Sequence, residues 1–167
     1  MVAGFREAKD QDTLIRAIAS LPNQYQLWLV GDGVRRGALE AVIASEGVAH
    51  RVKLLGIRSD VPQVLKAADV VVMSSHWEGL SLSNIEGMSS GRPFIASDVD
   101  GLREVTKGYG VLFPHEDAEA LAAIIRKLHD DKAYYDEVAE KCYQRAMMFD
   151  IEKMVDGYES VYKELVP

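Results

Sequence analysis

The stretch Asp-Val-Val-Val-Met, residues 69–73, sets the tightest limit on what this chain can fold into. Four apolar residues in succession, three of them β-branched, cannot alternate between a core and water, so they call for a strand covered on both faces. Such strands belong to parallel sheets, whose neighbours are joined by helix-length crossovers. The rest of the chain supplies those crossovers. A short apolar run at 1–5 is followed by "DQDTLIRAIASL", with Leu14, Ile15, Ile18 and Leu21 on one helical face. "YQLWLVG" precedes the helical stripe of "VRRGALEAVIASEG", and "RVKLLG" precedes "VPQVLKAA", a short helix with Pro62 in its first turn. A helix from about Ser83, the strand "PFIAS" and the strand "GVLF" continue the alternation. After Pro114 only helical periods remain, over roughly 116–129, 132–148 and 150–164.

This pattern predicts an α/β fold: a doubly wound, Rossmann-like parallel sheet with helices on both faces and a C-terminal helical tail. A single domain is expected over 1–167, with a βα core to about 114 and the tail over 115–167. In such sheets ligands bind beyond the carboxyl ends of the strands. The loops to inspect therefore follow Phe5, Val30, Leu55, Met73, Ser97 and Phe113. They hold Arg6 and Lys9, the turn Gly31–Gly33, the segment "HWEGLSLSNIEG" and "DVDGLRE". Cations, glycines and carboxylates on one edge suit a phosphorylated, hydroxyl-rich ligand.

Charge narrows the partner. A net charge of −7 opposes a polyanion such as nucleic acid, which needs a basic face. The single cysteine, Cys142, cannot close an intrachain disulfide, and no apolar run reaches about 18 residues. No charged-then-apolar leader is recognisable. A cytoplasmic protein is expected.

Individual motifs carry competing meanings. "GDGVRRG" has its glycines spaced G-x-G-x-x-x-G after the second strand, which fits a tight strand-to-helix turn as well as a ligand loop. Ser83-Asn84-Ile85-Glu86 reads as a capping box, with Glu86 reaching back to the backbone of Ser83. Glu86 is therefore open to a structural or a binding role. Glu78 follows a buried strand and precedes a glycine, where no folding duty claims it; its carboxylate could accept bonds from adjacent hydroxyls. A helix start near Leu82 and Ser83 would offer free N–H groups to a phosphate. The histidines, His76 included, show no metal-ligand spacing in sequence, and no metal is expected. No nucleophile elbow or P-loop is present.

Taken together, "EGLSLSNIE" with its glutamates eight positions apart, followed by "GMSSGRPFIAS", resembles the donor-site signature of the retaining group 1 (family 4) glycosyltransferases. "FREAKDQDTLIRAI", "LWLVGDGVRRGALE", "RVKLLGIRSDVPQVLKAADVVVMSS" and "DGLREV…GYGVLFP" are similar to further units of that family, in its order. The resemblance implies the C-terminal, nucleotide-sugar-binding half of a GT-B enzyme, with the N-terminal acceptor domain absent. It implies that Glu86 binds the ribose, that Glu78 binds the transferred sugar, and that the amides of Leu82 and Ser83 meet the diphosphate. Lys9 would neutralise that diphosphate, and the base would lie near Gly56–Arg58. Transfer would proceed with retention and without a cofactor or metal, in the synthesis of a polysaccharide. The acceptor would be a glycan or lipid-linked glycan, and the full-length enzyme could sit peripherally at the inner face of the membrane. A non-catalytic nucleotide-sugar sensor would use the same pocket. Two departures stand out: the family's Gly-Arg pair falls on Ala3 and Gly4, leaving Arg6 as a substitute, and Asp100 stands where a glycine is common.

Overall fold

The computed structural model describes residues 1–165. Five short strands alternate with helices: α1 Gln11–Ala19, β1 Leu27–Val30, α2 Arg36–Ser45, β2 Val52–Gly56, α3 Val61–Ala67, β3 Val71–Met73, α4 Leu82–Ser89, β4 Phe94–Ser97, α5 Leu102–Thr106, β5 Val111–Phe113, α6 Ala118–Asp130, α7 Lys132–Ala146 and α8 Ile151–Leu165. All strand pairings in the ladders are parallel: β1 beside β2, and β3–β4–β5 in that order. The fold class matches the expectation. β3 and β4 are buried at every residue, as an uninterrupted apolar run requires.

The expected first strand is much reduced. Residues 1–5 meet β1 through a single parallel bridge, Val2 to Val30. The register explains this, because Val2 lies level with the last residue of β1 and the ladder has little left to run. Ala3 N donates to Val30 O at 2.9 Å, and the chain then turns away with Phe5 buried in the core. A second difference is α5, which falls in a segment expected to be loop. Gly101 sits at its N-cap with φ +82°, and Glu104 accepts the Gly101 N–H from the third helical position.

Helix α1 packs on α6 and α2, while α4 packs on α7 and α5. Of the helices after Phe113, α6 and α7 are thus part of the layered core, through Leu121, Ile125, Leu128, Val138 and Cys142. Only α8 stands off, with every described side chain exposed. Among the described residues no helix is long and apolar enough to cross a membrane.

Candidate functional site

The site begins with four buried serine and backbone links that tie three loops together. Ser74 Oγ donates to Asp10 O at 2.7 Å, and His76 N donates to Ala8 O at 2.9 Å. Ser97 Oγ donates to Ser75 O at 2.6 Å. Ser75 Oγ in turn donates to Glu78 Oε1 at 2.7 Å. The loop after β3 is thereby fastened to the loop after the first segment and to the end of β4. Ser74 and Ser75 are the two residues after β3 and Ser97 is the last residue of β4, all at the ends of buried strands. That was the only sequence signal for them.

Lys9 and Glu78, 69 positions apart in sequence, form an ion pair through Glu78 Oε1. The pair is largely shielded, with the side chains 24% and 10% exposed. Oε1 accepts both the lysine and Ser75, while Oε2 has no hydrogen-bond partner among the described residues. A carboxylate held at one oxygen and open at the other can accept a hydroxyl without losing its place. Gly101 closes over this turn: a Cβ there would stand 2.2 Å from Glu78 O and 2.5 Å from Gly79 O. Sequence reading had marked neither Ser75 nor Gly101.

The start of α4 differs from the expectation in one respect. Its N-cap is Ser81 and its first residue is Leu82, so Glu86 is the fifth helical residue rather than the third. The predicted Ser83–Glu86 capping box does not form, because a side chain at that position points away from the cap. Glu86 is exposed, and its carboxylate has no hydrogen bond or ion pair among the described residues. Ser81 does not cap the helix either. Its hydroxyl is buried against Met73 Sδ at 3.7 Å. The N–H groups of Leu82 and Ser83 therefore remain the open end of the helix dipole.

The other predicted residues lie on the same edge. Arg6 is exposed and has no ion pair among the described residues, and its Nε lies 3.9 Å from where a Cβ on Gly4 would stand. A Cβ at position 4 would stand in ordinary van der Waals contact with the Arg6 guanidinium. Gly56 ends β2 with φ +68°, and its carbonyl accepts Gly31 N at 2.8 Å. Arg58 is held by Asp60 at 2.5 and 2.7 Å; the pairing pushes the guanidinium pKa up and the Asp60 carboxyl below its usual range. Ile57 between them is 86% exposed. The turn Gly31–Gly33 has a packing explanation: a Cβ on Gly31 would meet Ala3 O at 2.1 Å, and one on Gly33 would meet Phe5 O at 2.5 Å.

Asp10, His76, His115 and Glu116 also converge here. His76 Nδ1 lies 2.6 Å from His115 Nε2, 3.4 Å from Glu116 Oε1 and 4.0 Å from Asp10 Oδ2. The sequence reading did not connect these histidines, which lie 39 positions apart. A cavity of about 620 Å³ opens beside them. A larger one, about 930 Å³, lies between β1 and β3 at the opposite end of the strands and contains none of the candidate residues.

A family model described as "Glycosyl transferases group 1" matches residues 1–131. The lipopolysaccharide core biosynthesis glycosyltransferase LpsE of Rhizobium meliloti is 33% identical over 157 residues, covering 92% of this chain and 46% of the relative. The UDP-Gal:alpha-D-GlcNAc-diphosphoundecaprenol alpha-1,3-galactosyltransferase of Escherichia coli is 32% identical over 142 residues, covering 83% of this chain and 36% of the relative. Among solved structures, Anabaena Alr3699/HepE in complex with UDP superposes with a TM-score of 0.90 at 28% identity, over 98% of this chain and 48% of that one. The chain thus spans less than half the length of each of these relatives.

Proposed function

The chain belongs to the group 1 glycosyl transferases, and from that premise we propose that it is the donor-binding half of an enzyme transferring a sugar from a nucleotide-diphosphate sugar. The observation that carries the proposal is the shielded Lys9–Glu78 pair beside an uncapped α4. Positive charge and helix-end amides there would receive a diphosphate, and the open oxygen of Glu78 would receive a hydroxyl of the transferred sugar. Glu86, with no partner among the described residues, would take the ribose hydroxyls, and the base would rest against Gly56–Arg58 with Ile57 beneath it. The UDP in the Anabaena structure makes UDP and its sugars the first ligands to test.

Transfer would proceed with retention. The protein's task is then to stabilise the departing diphosphate while the sugar carries developing positive charge. Lys9, Arg6 and the amides of Leu82 and Ser83 suit the first need, and the Glu78 carboxylate suits the second. The cations and amides would perform the neutralisation that a magnesium ion performs elsewhere, so diphosphate binding should not require magnesium. The acceptor, a glycan or lipid-linked glycan, would be bound by a second domain across the cleft. Exposed Trp77, Leu80 and Leu82 on this edge, and the uncovered α8, offer that domain apolar surface.

Calorimetric titration with UDP and a UDP-sugar tests the assignment, using Glu78→Gln and Glu86→Gln. Loss of a charged hydrogen bond costs about 1.5–3 kcal/mol, roughly ten- to hundredfold in affinity. Glu86→Gln should weaken both ligands by about that factor. Glu78→Gln should leave UDP binding nearly intact and remove whatever affinity the sugar adds. Equal loss of both ligands in both variants would defeat this division, and a strict need for magnesium would defeat the metal-free reading.

A further inference from the structure

We propose that Asp10, His76, His115 and Glu116 form a zinc site, separate from the donor pocket, that staples three of its loops. The ligands come from the loop before α1, the loop after β3 and the loop after β5. The candidate atoms of Asp10, His76 and His115 all lie within 4.8 Å of one another. Glu116 Oε1 approaches the two imidazoles at 3.4 and 3.9 Å. Bonds of about 2.0–2.1 Å in a tetrahedron place ligand atoms about 3.3 Å apart. The separations from His76 run from 2.6 to 4.0 Å around that value, and the candidate atoms of Asp10 and His115 lie within 4.8 Å of each other. Small side-chain rotations would convert the cluster into a coordination shell, with the two nitrogens moving apart and the aspartate moving in.

Asp10 supplies the independent sign of a ligand. The residue is only 4% exposed, and its Oδ1 is committed to Thr13 N as the cap of α1. Its Oδ2, on the side facing His76, is buried with no hydrogen-bond partner among the described residues. A carboxylate oxygen left bare in the interior is costly, and a cation in contact with it removes the cost. The contact between the imidazoles does not do so, since it satisfies the rings and leaves the aspartate oxygen alone. Two imidazole nitrogens with two carboxylates favour zinc over magnesium or calcium, which prefer all-oxygen shells. The neighbouring charges do not compete. Arg35 is held bidentately by Asp12 at 2.8 and 3.2 Å, and Arg16 faces Glu46.

The metal would join Asp10, next after Lys9, to His76, two residues before Glu78. Its effect on the donor pocket is positional, because neither pair member is a ligand. This inference does not rest on the donor reading: its readouts are metal binding and melting temperature, neither of which involves a nucleotide. The test titrates the 167-residue chain, stripped of metal, with zinc while following melting temperature, and with cobalt(II) while following visible absorption. The expected result is saturation at a single ion per chain, a rise in melting temperature and the intense visible bands of low-coordinate cobalt. His115→Ala, in an exposed loop, should melt as the metal-free chain does and bind zinc at least tenfold more weakly. Asp10→Asn keeps the helix cap and should also lose at least tenfold. His129→Ala, on α6, should bind as the unaltered chain does. No zinc-induced rise, or equal binding by His115→Ala and the unaltered chain, would overturn the proposal.

Discussion

Lys9 and Arg6 show how position decides what a cation does. The two stand three positions apart, yet Lys9 is drawn into a shielded pair with Glu78 while Arg6 remains exposed, with no ion pair among the described residues. If a diphosphate binds at the start of α4, Lys9 meets it from a site already partly desolvated, where a charge interaction is weakened less by solvent. Arg6 reaches it only from the surface, where long side chains lose entropy and salt screens them. Lys9→Ala should therefore weaken UDP by roughly ten- to hundredfold. Arg6→Ala should weaken it by a smaller factor that shrinks further as salt is raised. A titration series at two ionic strengths measures both. A larger loss from Arg6→Ala would mean that the guanidinium lying over Gly4, not Lys9, has taken over the main phosphate contact.

Helix α4 and helix α8 leave different things unsatisfied. The first keeps its open amides because its own capping residue, Ser81, turns its hydroxyl onto Met73. Packing supports the rest of it: Asn84, Gly87 and Met88 are buried, and a Cβ on Gly87 would collide with the Phe94 ring at 2.6 Å. Helix α8 has the opposite deficit. Ile151, Met154, Val155, Tyr158, Val161, Tyr162 and Leu165 recur at helical spacing along one stripe, all exposed. An isolated helix of this length draws little stability from its own hydrogen bonds. Hydrogen exchange on the 167-residue chain should show α8 amides exchanging orders of magnitude faster than those of α6, whose apolar face is buried. Equal protection of the two helices would show that α8 packs against something in solution, a second copy being the nearest candidate.

At the scale of the molecule, one end of the sheet gathers the chemistry, and the chain spans less than half the length of its relatives. If the acceptor side belongs to a second domain, the chain alone should bind UDP yet release no UDP from a UDP-sugar in the presence of acceptors. A coupled assay for UDP release tests this, and turnover by the 167-residue chain would place the whole reaction within it. Sequence by itself determined the architecture, because the periods of burial are local. A run such as Val70–Met73 must be covered on both faces, and the crossovers that cover it are written in neighbouring segments. It also placed Lys9, Glu78 and the α4 start on one edge, since topology sends every strand end there. Tertiary structure decided what local pattern leaves open. The Ser83–Glu86 box failed because the helix begins two residues earlier, with Ser81 rather than Ser83 at its N-cap. Ser75 acts through Glu78, and Gly101 through a close approach of two loops, so neither carries a spacing rule. His76 and His115 meet only when β3 and β5 lie on either side of β4. Such meetings depend on distances through space, which apolar periodicity along the chain does not encode.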